Sequence, residues 1–424
     1  MMKVLLGLGA GILLAGAARA GALDPQAFAS LGTLNLTTNN YVLDSSGPKP
    51  RLLDAATNTV FTGVFYDQSL PSGSNFWGFD TVVAVFDFTS VSIASNVTVT
   101  LQGTNPVVIL SRGDATVNGI LDASGGNGQN GTGSFGGDGD GSGGRGGAGG
   151  GAGGTGGVGQ PAASQGDDGA GPGGSNGSGA FGSVGGTGSQ GDGAGFGGRG
   201  GSGFGGLVDG SAYGDLRQYL QGGAGGGGTG TDVFLTQGAG GGGGAGGLEL
   251  GAVGNISVGG QILANGGAGG GGGSVLAGGG SGGGIFLHAA TVQFTVAGAG
   301  LLANGGEPNG AGGRILVLTN SGPDLTGTFS VNPGTAGGEA GVVALGPPGV
   351  VPLLLELTIT RASATQLQIS WPTTNGTNYQ LETNTSLNAV GWHAWGDPVA
   401  GTGQTNTVQD AISRSNVFYR VHVL

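Results

Sequence analysis

Residues 247–267 read GLELGAVGNISVGGQILANGG, and residues 284–306 read GIFLHAATVQFTVAGAGLLANGG. Laid over one another, both open on a short apolar run, pass through two further short runs, and leave through Ala-Asn-Gly-Gly. Residues 107–126, VVILSRGDATVNGILDASGG, carry the same plan upstream. A fourth copy begins at Arg314 with RILVL and ends near 329–334, FSVNPG; GVVAL at 341–345 starts a partial fifth. Val91 to Ile93 and Val97 to Leu101 read as a coil preceding all of these. One such unit of period-two strands cannot bury its own apolar row, but stacking successive units in parallel does bury it. Asn and Gly at 264–267 and 303–306 suit corners, because both tolerate positive φ. The expected fold is therefore all-β: a right-handed parallel β-helix, with an ordinary β-sandwich as the alternative.

Working outward, the coils are interrupted at 125–246, where 58 of 122 residues are glycine. Part of this insertion runs in triplets, with Ser142, Arg145, Ala148 and, after a slip, Thr155 each followed by two glycines. A three-residue period suits polyglycine-II or polyproline-II strands, which have three residues per turn and can bond laterally. A disordered loop is the alternative, and composition alone does not choose between them. Asp215 to Leu220 is the one stretch that reads as a helical turn.

The remaining organisation follows from punctuation. A basic start at Lys3, an apolar run from Val4 to Gly16 and Ala18-Arg19-Ala20 make 1–20 a signal peptide, cut after Ala20. Residues 21–90 form an N-terminal β region or cap, with strands expected at 41–43, 60–66 and 81–88, and 91–124 hold the first coils. The later coils occupy 247–346, and 347–353 is a Pro/Gly linker. From 354 to 424 glycine thins and six or seven short strands recur at regular spacing, which is a β-sandwich pattern with Trp371 as the core aromatic.

Composition excludes several classes. Glycine is 109 of 424 residues, so an ordinary helical enzyme is ruled out: each interior helical glycine costs about 1 kcal/mol relative to alanine. With 15 prolines and a slipping period the chain is not collagen. Twelve basic residues against 24 acidic ones, with lysine only at Lys3 and Lys49, disfavour nucleic acid and anionic membranes. No later stretch is long and apolar enough to be a transmembrane helix. An exported chain without cysteine has no disulfides, so backbone bonding and packing must hold it.

Near the C-terminus, LQISWP at 367–372, YQLE at 379–382, GWHAW at 391–395 and FYRV at 418–421 resemble the fibronectin type III/Ig-like module that closes many secreted bacterial surface proteins. The chain as a whole is similar to Gly-rich β-helical exported proteins of environmental bacteria. Neither resemblance implies an activity.

Little here carries chemistry. The three histidines, His288, His393 and His422, have no metal-ligand spacing. A β-helical polysaccharide enzyme would need paired carboxylates, and Asp114, Asp122 and Glu249 are the candidates in the repeats. Turn chemistry accounts for Asp122 and a strand corner for Asp114, which also explains the Arg112-Gly113-Asp114 tripeptide. Asp138 and Asp140 hint at calcium without completing a calcium loop. No residue is therefore assigned as catalytic, cofactor-binding or metal-binding. The expected function is that of a secreted, non-catalytic structural or interaction protein of the cell surface or matrix. Its alternatives are a polysaccharide-binding module, with Trp392 and Trp395 stacking on sugars, and a carbohydrate-active enzyme.

Overall fold

The computed structural model describes residues 22–38, 40–68, 82–131, 141–157, 166–171, 193–201, 210–230, 238–272, 275–320, 326–346, 358–363, 365–373, 378–384, 393–401, 405–411 and 417–423. The expected leader 1–20 and expected linker 347–353, with Asp138, Asp140 and Trp392, lie outside the described residues. The chain divides into two compact units, Ala20–Gly349 and one that includes Val350–Leu424. Among the described residues there is no helix, and both units are built of strands.

In the first unit the repeats pair as expected from their overlay. Val82–Phe88, Val107–Ser111, Gly247–Ala252, Gly284–Ala289, Arg314–Thr319 and Val342–Gly346 form one parallel ladder, here sheet III. Thr33–Leu36, Ser90–Ile93, Ala115–Val117, Asn255–Val258 and Thr291–Phe294 form sheet I, also parallel throughout. Tyr41–Asp44, Thr98–Gln102, Ile120–Asp122, Gln261–Leu263, Gly300–Leu302 and Thr328–Ser330 form sheet II. Alternate residues face a shared apolar core, so Leu34, Val91, Ala115, Ile256 and Val292 stack in one row. The parallel stacking begins earlier than the repeat is legible, at Thr33–Leu36. The expected strand at 60–66 is broken at Gly63: Thr59–Thr62 pairs in sheet II and Val64–Asp67 in sheet III, both antiparallel. A Cβ at Gly63 would lie 2.4 Å from the Val85 carbonyl oxygen, so only glycine lets the chain cross there.

The described glycine-rich segments are packed, not loose. Residues 238–246 are buried throughout, and no strand is assigned to 238–246. Their hydrogen bonds rotate with a period of three. Gly240, Gly243 and Gly246 donate to Gln129, Gly126 and Ala123; Gly241 and Gly244 donate to Gly154 and Gly151; Gly242 and Ala245 donate to Gly278 and Ser281. Their carbonyls accept in the same rotation, from Gly270 and Gly267, from Gly144 and Gly147, and from Gly226 and Gly223. An extended chain with three residues per turn has no internal hydrogen bonds and points successive N–H groups about 120° apart. It therefore addresses three neighbours as donor and three as acceptor, as 240–246 does here.

That geometry dictates where side chains are allowed. On the inner segment a Cβ at Gly240, Gly241, Gly242, Gly243 or Gly244 would sit 1.9–2.3 Å from a neighbour's carbonyl oxygen. On the segment 141–148 two positions in three are blocked likewise, while Ser142 and Arg145 point to solvent. The Gly-Gly-X triplet is thus the signature of a strand with one face clear of neighbouring backbone, open to solvent at Ser142 and Arg145 and turned into the apolar core at Ala148. The bundle also extends beyond 125–246. Residues 264–272, 275–283 and 303–313, which follow the sheet II strands of later coils, bond into it through Gly267, Gly270, Gly278, Ser281 and Gly306. The reading of 264–267 and 303–306 as positive-φ corners is corrected accordingly: no positive φ occurs there. Asp215 to Leu220 makes the single turn expected of it, with the Gln218 and Tyr219 N–H groups donating to the Asp215 carbonyl at 2.8 and 3.1 Å.

In the second unit, Thr358–Arg361, Gln366–Pro372 and Thr405–Ala411 form one antiparallel sheet. Asn378–Asn384 pairs with His393–Ala394, Val399–Ala400 and Phe418–Val423 in another. Ile369, Trp371, Tyr379, Leu381 and Tyr419 fill the core between them, with Trp371 at its centre as expected.

Candidate functional site

Ionisable side chains collect on the outer face of sheet III. Strand alternation turns Leu248 and Leu250 inward and Glu249 outward, so the carboxylate enters a second apolar layer built on Val108, Leu110, Phe286 and Leu316. Register puts Glu249 opposite Phe286 and His288 opposite Gly251. With no side chain at Gly251 the imidazole leans over it: a Cβ there would meet the ring at 2.3 Å. His288 Nε2 lies 2.9 Å from Glu249 Oε1, and the same oxygen accepts the Leu23 N–H at 2.7 Å. Glu249 is 0% exposed, and its Oε2 has no hydrogen-bond partner among the described residues.

A second carboxylate lies on the same face. Asp87 Oδ2 accepts from Arg112 Nε at 3.0 Å and Nη2 at 2.9 Å, and that guanidinium also donates to the Phe28 carbonyl. Burial raises the Asp87 pKa above the usual carboxylate value, and the Arg112 hydrogen bonds and charge only partly oppose it. Both clusters hold the segment 22–31, whose Ala22, Leu23 and Phe28 lie in the outer apolar layer. The Leu31 N–H donates to the Asp87 carbonyl, and Phe28 meets Tyr66 edge-on. The other cover, residues 193–201 and 210–220, is held by Arg314, which donates to the Tyr213 carbonyl at 3.0 Å and lies 5.6 Å from the Phe196 ring centre. Burial lowers the Arg314 pKa, with Asp215 and Tyr213 opposing, and burial raises that of Tyr213, whose hydroxyl donates to the Gly222 carbonyl.

The carboxylates singled out in the sequence are not brought together. Asp114 stands just before Ala115–Val117, the middle strand of sheet I, where its Oδ1 accepts the Asn255 N–H at 2.7 Å. Asp122, on sheet II, accepts the Ser124 N–H at 2.9 Å in the turn expected of it. Arg112 of the Arg-Gly-Asp tripeptide is committed to Asp87, so corner geometry accounts for all three residues. A Glu–His couple is a possible proton-transfer pair, but this one is sealed beneath 22–31, with His288 only 7% exposed. The cavity inside the stack, lined by Leu34, Phe86, Val99, Ile109 and Leu121 among others, is apolar and measures about 10 Å³, at most the size of one water. His393 is exposed on an edge strand, and Trp395 packs against the core around Trp371. Among the described residues no three His, Asp or Glu side chains cluster as a metal site, and no helix is long and apolar enough to cross a membrane.

Sequence reasoning missed the Glu249–His288 and Asp87–Arg112 pairs. A signal for the first was present: overlaying 247–252 on 284–289 puts the two residues on adjacent rungs and one face. Compared with known proteins, the chain matches no family model, no curated protein and no solved structure.

Proposed function

We propose that the chain is an exported, non-catalytic structural protein of the cell surface or extracellular matrix. Its rigid element, in this reading, is a right-handed parallel β-helix flanked by a polyglycine-II bundle, and the second unit is a fibronectin type III/Ig-like module. The observation that carries the reading is the threefold hydrogen-bond rotation along 240–246, where every N–H is bonded to a neighbouring segment. Such a layer has no adjustable side chains with which to grip a substrate, and its value is stiffness.

Segment-resolved hydrogen exchange on the mature protein, with and without Ca²⁺, tests this. The glycine segments 141–157 and 238–246 are expected to be as protected as the sheet III strands, in either condition. Exchange there at the rate of an unfolded chain would remove the rigid-bundle reading. Protection appearing only with Ca²⁺ would replace it with a metal-dependent one.

A second reading, polysaccharide binding, has one observation in its favour. The outward rows of sheet I carry Asn35, Ser92, Thr116, Ser257 and Gln293 in register, a neutral ladder with rungs about 4.8 Å apart. Retention on insoluble neutral polysaccharide that weakens in Thr116→Ala/Ser257→Ala supports it, and no retention ends it.

A further inference from the structure

We propose that Asn118 is a modification site: the Asn118–Gly119 step converts without an enzyme to aspartate and isoaspartate, ahead of the other Asn–Gly steps among the described residues. In the reaction the Gly119 main-chain nitrogen attacks Asn118 Cγ. A C–N bond forms, and the carboxamide nitrogen leaves as ammonia, carrying the proton that the Gly119 nitrogen gives up. Water then adds across one of the two C–N bonds of the five-membered imide, returning an aspartyl or an isoaspartyl link. Glycine at the second position favours ring closure, because it has no Cβ to crowd the turn. The reaction needs only water and is independent of where the protein resides.

Asn–Gly steps occur among the described residues at 118, 127, 130, 265, 304 and 309. At the last five the asparagine oxygen accepts a backbone N–H from a neighbouring segment: Asn127 from Ala268, Asn130 from Gly271, Asn265 from Asn304, Asn304 from Asn332 and Asn309 from Gly279. The attacking nitrogen is engaged there too, since the glycine N–H that follows each of the five is bonded to a carbonyl at 2.8–3.0 Å. Asn118 is the exception, for a reason set by the stacking. Side chains of this coil reach the backbone N–H 141 residues further on, as Asp114, Ser124, Asn127 and Asn130 all do. For Asn118 that N–H belongs to Gly259, and it is already donated to the Val117 carbonyl at 2.8 Å. Asn118 Oδ1 therefore lies over Gly259, where a Cβ would meet it at 2.4 Å, and its carboxamide has no hydrogen bond among the described residues. The Gly119 N–H is held weakly, sharing the Ile93 carbonyl with the Asn118 N–H at 3.3 Å against 2.8 Å. Asn118 is exposed, so water reaches the imide. The corner also requires its glycine: a Cβ at Gly119 would lie 2.2 Å from the Val97 carbonyl oxygen.

Peptide mapping of the folded protein, aged in mildly alkaline buffer, tests this. Trypsin releases 113–145, which carries the steps at 118, 127 and 130, and 218–314, which carries the other three. Fragmentation mass spectrometry then locates each exchange of a carboxamide for a carboxyl group and separates aspartate from isoaspartate. Asn118 is expected to convert at least about tenfold faster than each of the other five, because their reaction waits on local opening of two hydrogen bonds. In denaturant that preference should vanish. Any of the five keeping pace with Asn118 in the folded protein overturns the proposal. So does an Asn118 that stays intact in folded protein for as long as the denatured chain takes to convert. Isoaspartate together with aspartate at 118 reports the imide, whereas aspartate alone would overturn that route. Asn118→Gln should leave the denaturant midpoint unchanged and the other five rates as they were; a rise in those rates would mean that Asn118 secures its neighbours rather than standing free of them.

Discussion

A methyl group at Gly241 would come within 2.0 Å of the Gly226 carbonyl oxygen, whereas one at Gly271 would have nothing nearer than 3.6 Å. Backbone cannot move aside as a side-chain tip can, so the two positions separate close packing from glycine composition. Gly241→Ala is expected to destabilise by about 3 kcal/mol or more, at the severe end of overpacking. Gly271→Ala should stay within about 0.5 kcal/mol. Denaturant midpoints of the two variants check this, and equal midpoints would contradict the packed bundle. Asp87 gives a residue-scale prediction in pH. Its folded pKa is raised, so its contribution to stability is present below the ordinary carboxylate range and is lost as pH rises through the folded value. Asp87→Asn has no such titration. The stability of the unsubstituted protein relative to Asp87→Asn should therefore fall as pH rises above the ordinary aspartate value of about 3.9. A flat or rising difference would mean that Arg112 outweighs burial.

Successive coils are tied at one corner by a ladder of short polar side chains. Asn265 accepts the Asn304 N–H at 2.9 Å, and Asn304 accepts the Asn332 N–H at 2.9 Å and the Ser330 hydroxyl at 2.6 Å. Each side-chain oxygen thus caps the backbone of the next coil, where the chain leaves sheet II for the bundle. Asn304→Ala should cost about 1 kcal/mol per bond removed. Asn304→Asp keeps the acceptor and should lose less than half as much, measured by chemical denaturation; equal losses would assign Asn304 to chain bending alone. This element also marks where the sequence stopped being readable. The coils were legible because Leu248, Ile285 and Ile315 recur at equivalent places and stack in one core row. The Asn residues read in the sequence as positive-φ corners, which they are not, and their ladder escaped the sequence because it depends on which backbone N–H lies one coil away. The glycine segments were legible only where one face stays free, as at Ser142 and Arg145. Inside the bundle, as at 240–244, every position is glycine for the same reason, and nothing in the string distinguishes one neighbour from another.

At the scale of the parallel stack, the two ends are finished differently. At the first end Arg51–Leu53 and Thr59–Thr62 turn sheet II antiparallel, and Val64–Asp67 does the same for sheet III, so the ladders stop on hairpins. At the other end sheet III stops on Val342–Gly346, paired on one side to Arg314–Thr319. Val343 and Leu345 align with Ile315 and Val317 of the core, yet they are 36% and 37% exposed. Among the described residues no further strand pairs with its other edge; an edge that also displays its inward apolar row is a template for further strands, and neither Lys nor Pro within it discourages pairing. Concentrated protein is therefore expected to associate through this end. The double variant Val343→Lys/Leu345→Lys should abolish that association while changing stability little, because surface substitutions away from buried features usually fall within about 0.5 kcal/mol. Sedimentation velocity across a concentration series, with a thermal melt of each protein, separates the outcomes. An unsubstituted protein that stays monomeric at every concentration would mean that the edge is already satisfied. A lysine variant that still associates would move the contact elsewhere, with the ladder face of sheet I the next surface to test.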